Sequence, residues 1–396
     1  MGRTLLRSVA LRSAKINPMK LISPSNLLTQ LQSYRIYAGL DLHCARSVLG
    51  GMERDGNWLG LSRFPTDPEH LTEAVRALGP GVCLTVEVGP LTRWAAGLLR
   101  PLVGKLVVCE PRHNRLIAAN PNKCDEQDVV DLCLLLSLGK LKEVWMGDDR
   151  QRQIHRELVH ELLNWRDAQR AIKTLIKARY RQWGVLRVEG TGVFSRTQRE
   201  RYLGQLPGVE ERRLRLRVYA QHDHASEQWK DTLREVCRLG RQFPEIAQFK
   251  KVPGSGVIGA NVFSAIIEDP ARFATRQKLI KYARRAITER SSDGKPLGYQ
   301  RLERRGHREL KTLSYHAWRT ACRSTTSDNA VQRFYRASLE RTHDVRHARL
   351  NTQRKILTAL WRMWRRGESF NAGLFFPATD PDAKADGRST PETAGG

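Results

Sequence analysis

Long apolar runs are absent from this 396-residue chain: no segment approaches the ~18–20 consecutive apolar residues that span a bilayer. Membrane association is therefore the weaker of the readings open to so basic a protein. The seven cysteines (44, 83, 109, 124, 133, 237 and 322) include no Cys-x-x-Cys pair, and their number is odd. That argues against a disulfide framework or a zinc site and for reduced, mostly buried thiols in a cytosolic compartment. Neither an internal repeat nor a secretory signal is visible. Acids are missing from residues 1–34, which carry Arg3, Arg7, Arg12, Lys15 and Lys20. The pattern superficially suits a mitochondrial transit peptide, but we read it as a poorly structured basic arm.

Acids are also scarce later in the chain. Residues 151–366 hold 47 Lys and Arg against 21 Asp and Glu, whereas residues 35–150 hold 14 against 15. The formal charge of +27 thus belongs to the back half. An excess of that size in segments that also look folded points to a polyanionic partner, most often nucleic acid.

What is present in the front half is an alternation of strands and helices. Strands are expected at 35–42, 47–52, 58–64, 82–86 and 106–109, with a hairpin turn at Arg54-Asp55-Gly56-Asn57. Helices are expected from Asp67-Pro68-Glu69, over 90–100, after Pro111, and over 125–138. The order β-β-β-α-β-α-β-α is a meander extended by parallel crossovers, a mixed sheet in an α/β domain spanning 35–149. It is also the element order of ribonuclease-H-like nucleases. Residues 150–247 read as a long helical hairpin or coiled coil with a loop at 184–208. Residues 248–368 read as an all-α domain, and 369–396 as a disordered tail. Trp318, Trp361 and Trp364 are expected in the core of the all-α domain rather than as base-stacking platforms.

One stretch organises the front domain. Ile36-Tyr37-Ala38-Gly39-Leu40-Asp41-Leu42-His43 is a buried strand carrying one carboxylate, which is costly there unless it is paired or used. Glu87 ends the fourth strand, and Asp125 and Asp128 open a helix three residues apart on one face. Asp128 with Asp131 has the same spacing and is the rival pair. Strand ends and helix starts gather at one edge of such a sheet. Four carboxylates converging there repel one another unless Mg2+ or Mn2+ binds. Two such ions can clamp a phosphate during in-line displacement.

In the back half, Gly254-Ser255-Gly256-Val257-Ile258-Gly259 has the dinucleotide-binding pattern, but no strand precedes it, so that cofactor is rejected. A glycine turn between helices remains, either a plain turn or one whose N–H groups hold a phosphate.

The motifs Gly39-Leu40-Asp41, Val86-Glu87-Val88-Gly89 and Lys123-Cys124-Asp125-Glu126-Gln127-Asp128 resemble those of the Piv-invertase-like insertion-sequence transposases, over roughly residues 35–370. Their acidic domain is similar to Holliday-junction resolvases of the RuvC type. The resemblance implies that Asp41, Glu87, Asp125 and Asp128 hold Mg2+ or Mn2+, and that a Pro-Gly-x-Gly turn with Gly254 and Gly256 meets DNA. It further implies a nucleophilic serine in the loop before Arg304-Arg305-Gly306-His307, which falls on Ser292 with Ser291 as the alternative. The basic residues Arg284, Arg285, Arg290, Lys295, Arg304, Arg305 and Arg308 would then orient phosphates. Also implied are DNA partners (element ends and target), a homo-oligomer (dimer or tetramer), a structured guide RNA as in some members, and a bacterial cytoplasmic, nucleoid-associated location. The rival readings are a metal-dependent junction nuclease without a serine step and a non-catalytic nucleic-acid-binding protein.

Overall fold

The computed structural model describes residues 34–110, 124–288, 291–292, 295–296, 298, 301–323 and 328–376, of which 291–292 and 295–296 by backbone alone. The arm at 1–33, the segment 111–123, Arg290 and residues 377–396 lie outside the described residues. Two compact units are present, one ending at Asp148 and the other beginning at Asp149.

The first unit is built on a five-stranded mixed sheet. Strands β1 (Ile36–Leu42), β2 (Arg46–Glu53) and β3 (Trp58–Pro65) form the antiparallel meander, and β4 (Val82–Glu87) and β5 (Lys105–Cys109) extend it in parallel, in the order β3-β2-β1-β4-β5. Helix α1 (Pro68–Ala77) starts where expected, its Asp67 side chain accepting from the His70 amide. With α2 (Thr92–Leu99) it covers the face carrying Ala38, Leu40, Leu84 and Val86, all buried. The opposite face carries Tyr37, Cys83 and Val107, which meet Leu136 of α3 (Asp125–Ser137).

Two glycines let α3 lie close on that second face. A Cβ on Gly39 would stand 2.9 Å from the Val129 carbonyl oxygen, and one on Gly50 would stand 2.7 Å from Val129 Cγ1. Gly39 faces Val129 to Cys133, and the chain of α3 runs back from there towards Asp125. Two strand residues advance ~6.6 Å and one helical turn spans ~5.4 Å. Asp41, two residues beyond Gly39 on the same strand face, therefore comes level with the first turn of α3. Gly39→Ala is expected to destabilise the unit by about 1–3 kcal/mol through overpacking, measured by urea unfolding. Because the helix carries Asp125, the same change should also weaken divalent-cation binding.

The second unit is helical apart from two short ribbons. Helices α4 (Arg150–Gln182) and α6 (Val209–Gly240) lie side by side and run in opposite directions: Tyr180 meets Tyr219 at the tip, and Val159 shares a core with Val236 near the base. The tip is closed by 3-10 turns and by α5 (Arg199–Leu203), over a small core of Ile176, Tyr180, Val193, Leu203 and Tyr219. The base is continuous with the core of α7 (Pro244–Phe249), α8 (Gly256–Ile267), α9 (Arg276–Tyr282), α10 (Arg308–Arg323), α11 (Ala330–Thr342) and α12 (Val345–Arg366). Trp361 is buried in that core, and Trp318 and Trp364 pack against it. Residues 369–376, placed in the tail by composition, also pack here. Asn371 caps a short 3-10 turn, and Leu374 and Phe375 are buried. Between α9 and α10 the backbone forms β6 (Ile287–Thr288) with β9 (Arg301–Leu302), and β7 (Ser291–Ser292) with β8 (Lys295–Pro296). No described helix is long and apolar enough to cross a membrane.

Candidate functional site

At the edge of the first unit, Asp41, His43 and Asp125 bring one ligand atom each to within 4.8 Å of one another. His43 Nε2 lies 3.0 Å from Asp41 Oδ2 and 4.0 Å from Asp125 Oδ1. Burial raises the Asp41 pKa above the ordinary carboxylate value. The His43 ring opposes this, while the charges of Asp125 and, more weakly, Asp128 add to it. A half-buried carboxylate facing two further acids is poised to take a cation. Two carboxylate oxygens and an imidazole nitrogen at this spacing fit a single divalent metal.

The other expected acids fall nearby but outside this group. Register pairs Leu40 with Val86, so Asp41 and Glu87 each stand one residue further along neighbouring parallel strands. The Glu87 carbonyl accepts from Thr92 Oγ1 at 2.7 Å, which ties down the turn after β4. Asp128 acts on Asp41 electrostatically, and Asp131 accepts from Gln127 Nε2 at 3.0 Å. Glu126 is engaged with Arg63.

His43 was not among the residues expected here. Its signal lay in the octapeptide itself: His43 follows directly on β1, two residues after Asp41, and its ring turns back to the Asp41 carboxylate. Imidazole suits Mn2+ better than Mg2+, which prefers oxygen. His43→Ala is therefore expected to weaken Mn2+ binding by roughly tenfold and Mg2+ binding much less, measured by Mn2+ electron paramagnetic resonance with Mg2+ competition. Equal losses for both ions would make His43 only an orienting partner of Asp41.

The second unit holds the remaining candidates. Gly254 adopts φ +83°, and a Cβ there would stand 2.0 Å from the Ala317 carbonyl oxygen. Its glycine is thus accounted for by packing on α10. Gly256, at φ +60°, faces open space. Arg284 takes a left-handed conformation and donates from Nε to the Gly306 carbonyl at 2.7 Å. Arg285 is buried and donates to the Lys311 carbonyl at 2.8 Å and to Ser314 Oγ, while its own carbonyl accepts from Arg354. Burial, with the charges of Arg349 and Arg354, pulls its pKa down to about 10. Arg285 therefore anchors the start of the ribbon inside the fold, and is not presented as a surface cation.

Across the base, the amide of Glu303 donates to the Ala286 carbonyl, and that of His307 to the Tyr282 carbonyl. The Glu303 carboxylate accepts from the amides of Arg304 and Arg305. This leaves the side chains of Arg304, Arg305 and Arg308 exposed. Ser292 pairs through its backbone with Lys295, so a two-residue connection joins β7 to β8. The side chains of Ser291, Ser292 and Lys295 lie outside the described residues.

No curated protein matches the chain. Residues 247–336, which run from within α7 through the glycine turn and the ribbon into α11, match the sequence model of the Transposase IS116/IS110/IS902 family, and this supports a transposase or recombinase of an insertion sequence.

Proposed function

We propose that the protein breaks and rejoins DNA strands as the transposase of an insertion sequence, with Ser292 as nucleophile and the acidic edge of the first unit as the metal site. The observation that carries this reading is the family match over the segment containing the ribbon. The group of Asp41, His43 and Asp125 adds a place where a divalent cation fits, with Glu87 and Asp128 close by. When bound, Mg2+ or Mn2+ supplies charge neutralisation at a phosphate oxygen. In the chemical step the serine Oγ–P bond forms as the P–O bond to the departing sugar breaks. The serine proton passes to a base and the departing oxygen takes one up. A protein–DNA ester keeps the bond energy, so a strand hydroxyl can reverse the step without ATP.

Arg304, Arg305 and Arg308 are exposed beside the ribbon, where they can hold backbone phosphates. Three further parts of the proposal are carried by the resemblance: assembly as an oligomer in which acids and serine come from different copies, a structured guide RNA, and action at the bacterial nucleoid. The direct test is strand transfer between labelled oligonucleotides carrying an element end and a target, with Mg2+ or Mn2+. Product with wild type and none in chelator supports the reading, whereas equal product in chelator contradicts it.

A further inference from the structure

Away from the acidic edge and the ribbon, the buried cation Arg215 has no counter-charge among the described residues. Arg215, in the second turn of α6, is 4 % exposed, and its Nε and Nη1 are buried without a hydrogen-bond partner among the described residues. Burial first and the like charge of Arg179 second draw its pKa below the ordinary arginine value. Tyr180 and Tyr219 also act on it, and no carboxylate pairs with it among the described residues. Arg199 is the contrast. It lies over the same Tyr219 ring at 4.4 Å, but Asp223 answers its charge. A buried guanidinium left unpaired costs free energy that a bound anion would return.

The surroundings favour a polyanion. Residues 173–217 hold twelve Lys and Arg against four Asp and Glu. Leu214 and Leu216, on either side of Arg215, are about half exposed and would also suit contact with another protein. A second copy of this tip would bring the same excess of eight positive charges, and like charges repel. A phosphate backbone meets no such penalty.

We propose that the tip of the α4–α6 hairpin is a phosphate-binding site in which Arg215, with Arg179 beside it, holds a phosphodiester of a nucleic acid. The site is independent of the serine and of the metal. It extends the nucleic-acid contact along the hairpin, far in sequence from the segment that matches the transposase family.

The test uses full-length protein in chelator, so that no strand chemistry contributes, with labelled duplex DNA and duplex RNA of equal length titrated across a salt series. Arg215→Met is expected to weaken binding by roughly fivefold to tenfold near 0.1 M salt and to lower the slope of log K against log salt by about one. Loss with DNA alone, RNA alone or both identifies the source of the phosphate. Because methionine removes an unpaired buried charge, the melting temperature should hold or rise. Should it fall instead, Arg179→Gln, an exposed position, must show the binding loss and the reduced slope. Wild-type affinity and slope in both variants would overturn the proposal. So would intact binding with a changed sedimenting mass, which would make the tip a contact between copies.

Discussion

Replacing Ser292 with alanine is expected to abolish the covalent protein–DNA adduct on a denaturing gel and to lower strand exchange by roughly a thousandfold or more, the scale expected when an enzyme loses its nucleophile. The same change at Ser291 should leave both within a few-fold of wild type. The two serines are backbone neighbours on β7, paired with Pro296 and Lys295. Only the serine that attacks the phosphorus forms the ester. Removing the wrong hydroxyl therefore costs little. An alanine at 292 that still exchanged strands would leave two accounts standing. If the Ser291 variant failed instead, the register is shifted by one; if neither failed, no serine ester forms, and water or a strand hydroxyl attacks the phosphorus directly at the metal site.

Asp41→Asn is expected to lower metal-dependent strand transfer by at least roughly a hundredfold, since even outer partners of metal ligands cost ten- to a hundredfold when removed. It should also stabilise the metal-free protein at neutral pH. The carboxylate's pKa is raised by burial and by Asp125 and Asp128, so the folded state binds this proton more tightly than the unfolded chain does. The associated stability is fully present below the ordinary carboxylate pKa and is lost as pH rises through the raised value. Wild type in chelator should therefore lose stability across that window, while the asparagine variant, which resembles the protonated form at every pH, should not. Divalent cation should restore wild type and leave the variant unchanged. Thermal melts against pH, with and without Mn2+, separate these outcomes. A variant that melts lower than wild type in chelator at neutral pH would show that the Asp41 charge is already compensated by His43.

Much of the fold was legible because its signals are local. An apolar run carrying one carboxylate marked β1, and Asp67-Pro68 marked the start of α1. The helical spacing of Val129, Leu132, Cys133 and Leu136 marked the face that α3 lays on the sheet. The convergence of Asp41 with Asp125 followed from those elements. The presence of His43 between them depended on how closely Gly39 and Gly50 let the helix approach, a tertiary quantity. Glu87 was correctly placed at a strand end, yet whether its carboxylate reaches the group depends on side-chain geometry that no spacing encodes. Arg285 misled because a buried arginine inside a basic run looks the same as an exposed one until its partners, Lys311 and Ser314, are known. Leu374 and Phe375 were obscured by averaging over a polar tail, although two apolar residues behind an Asn cap suffice to fold one more turn onto the core.

The claim on which the account turns is that acids distant in sequence share one divalent cation at the edge of the sheet. Anomalous scattering from crystals soaked in Mn2+ tests it most directly. The account predicts a peak bounded by Asp41, His43 and Asp125, absent from Asp41→Asn crystals treated alike. A wild-type map with no peak there, at Mn2+ concentrations that support strand transfer, would contradict it.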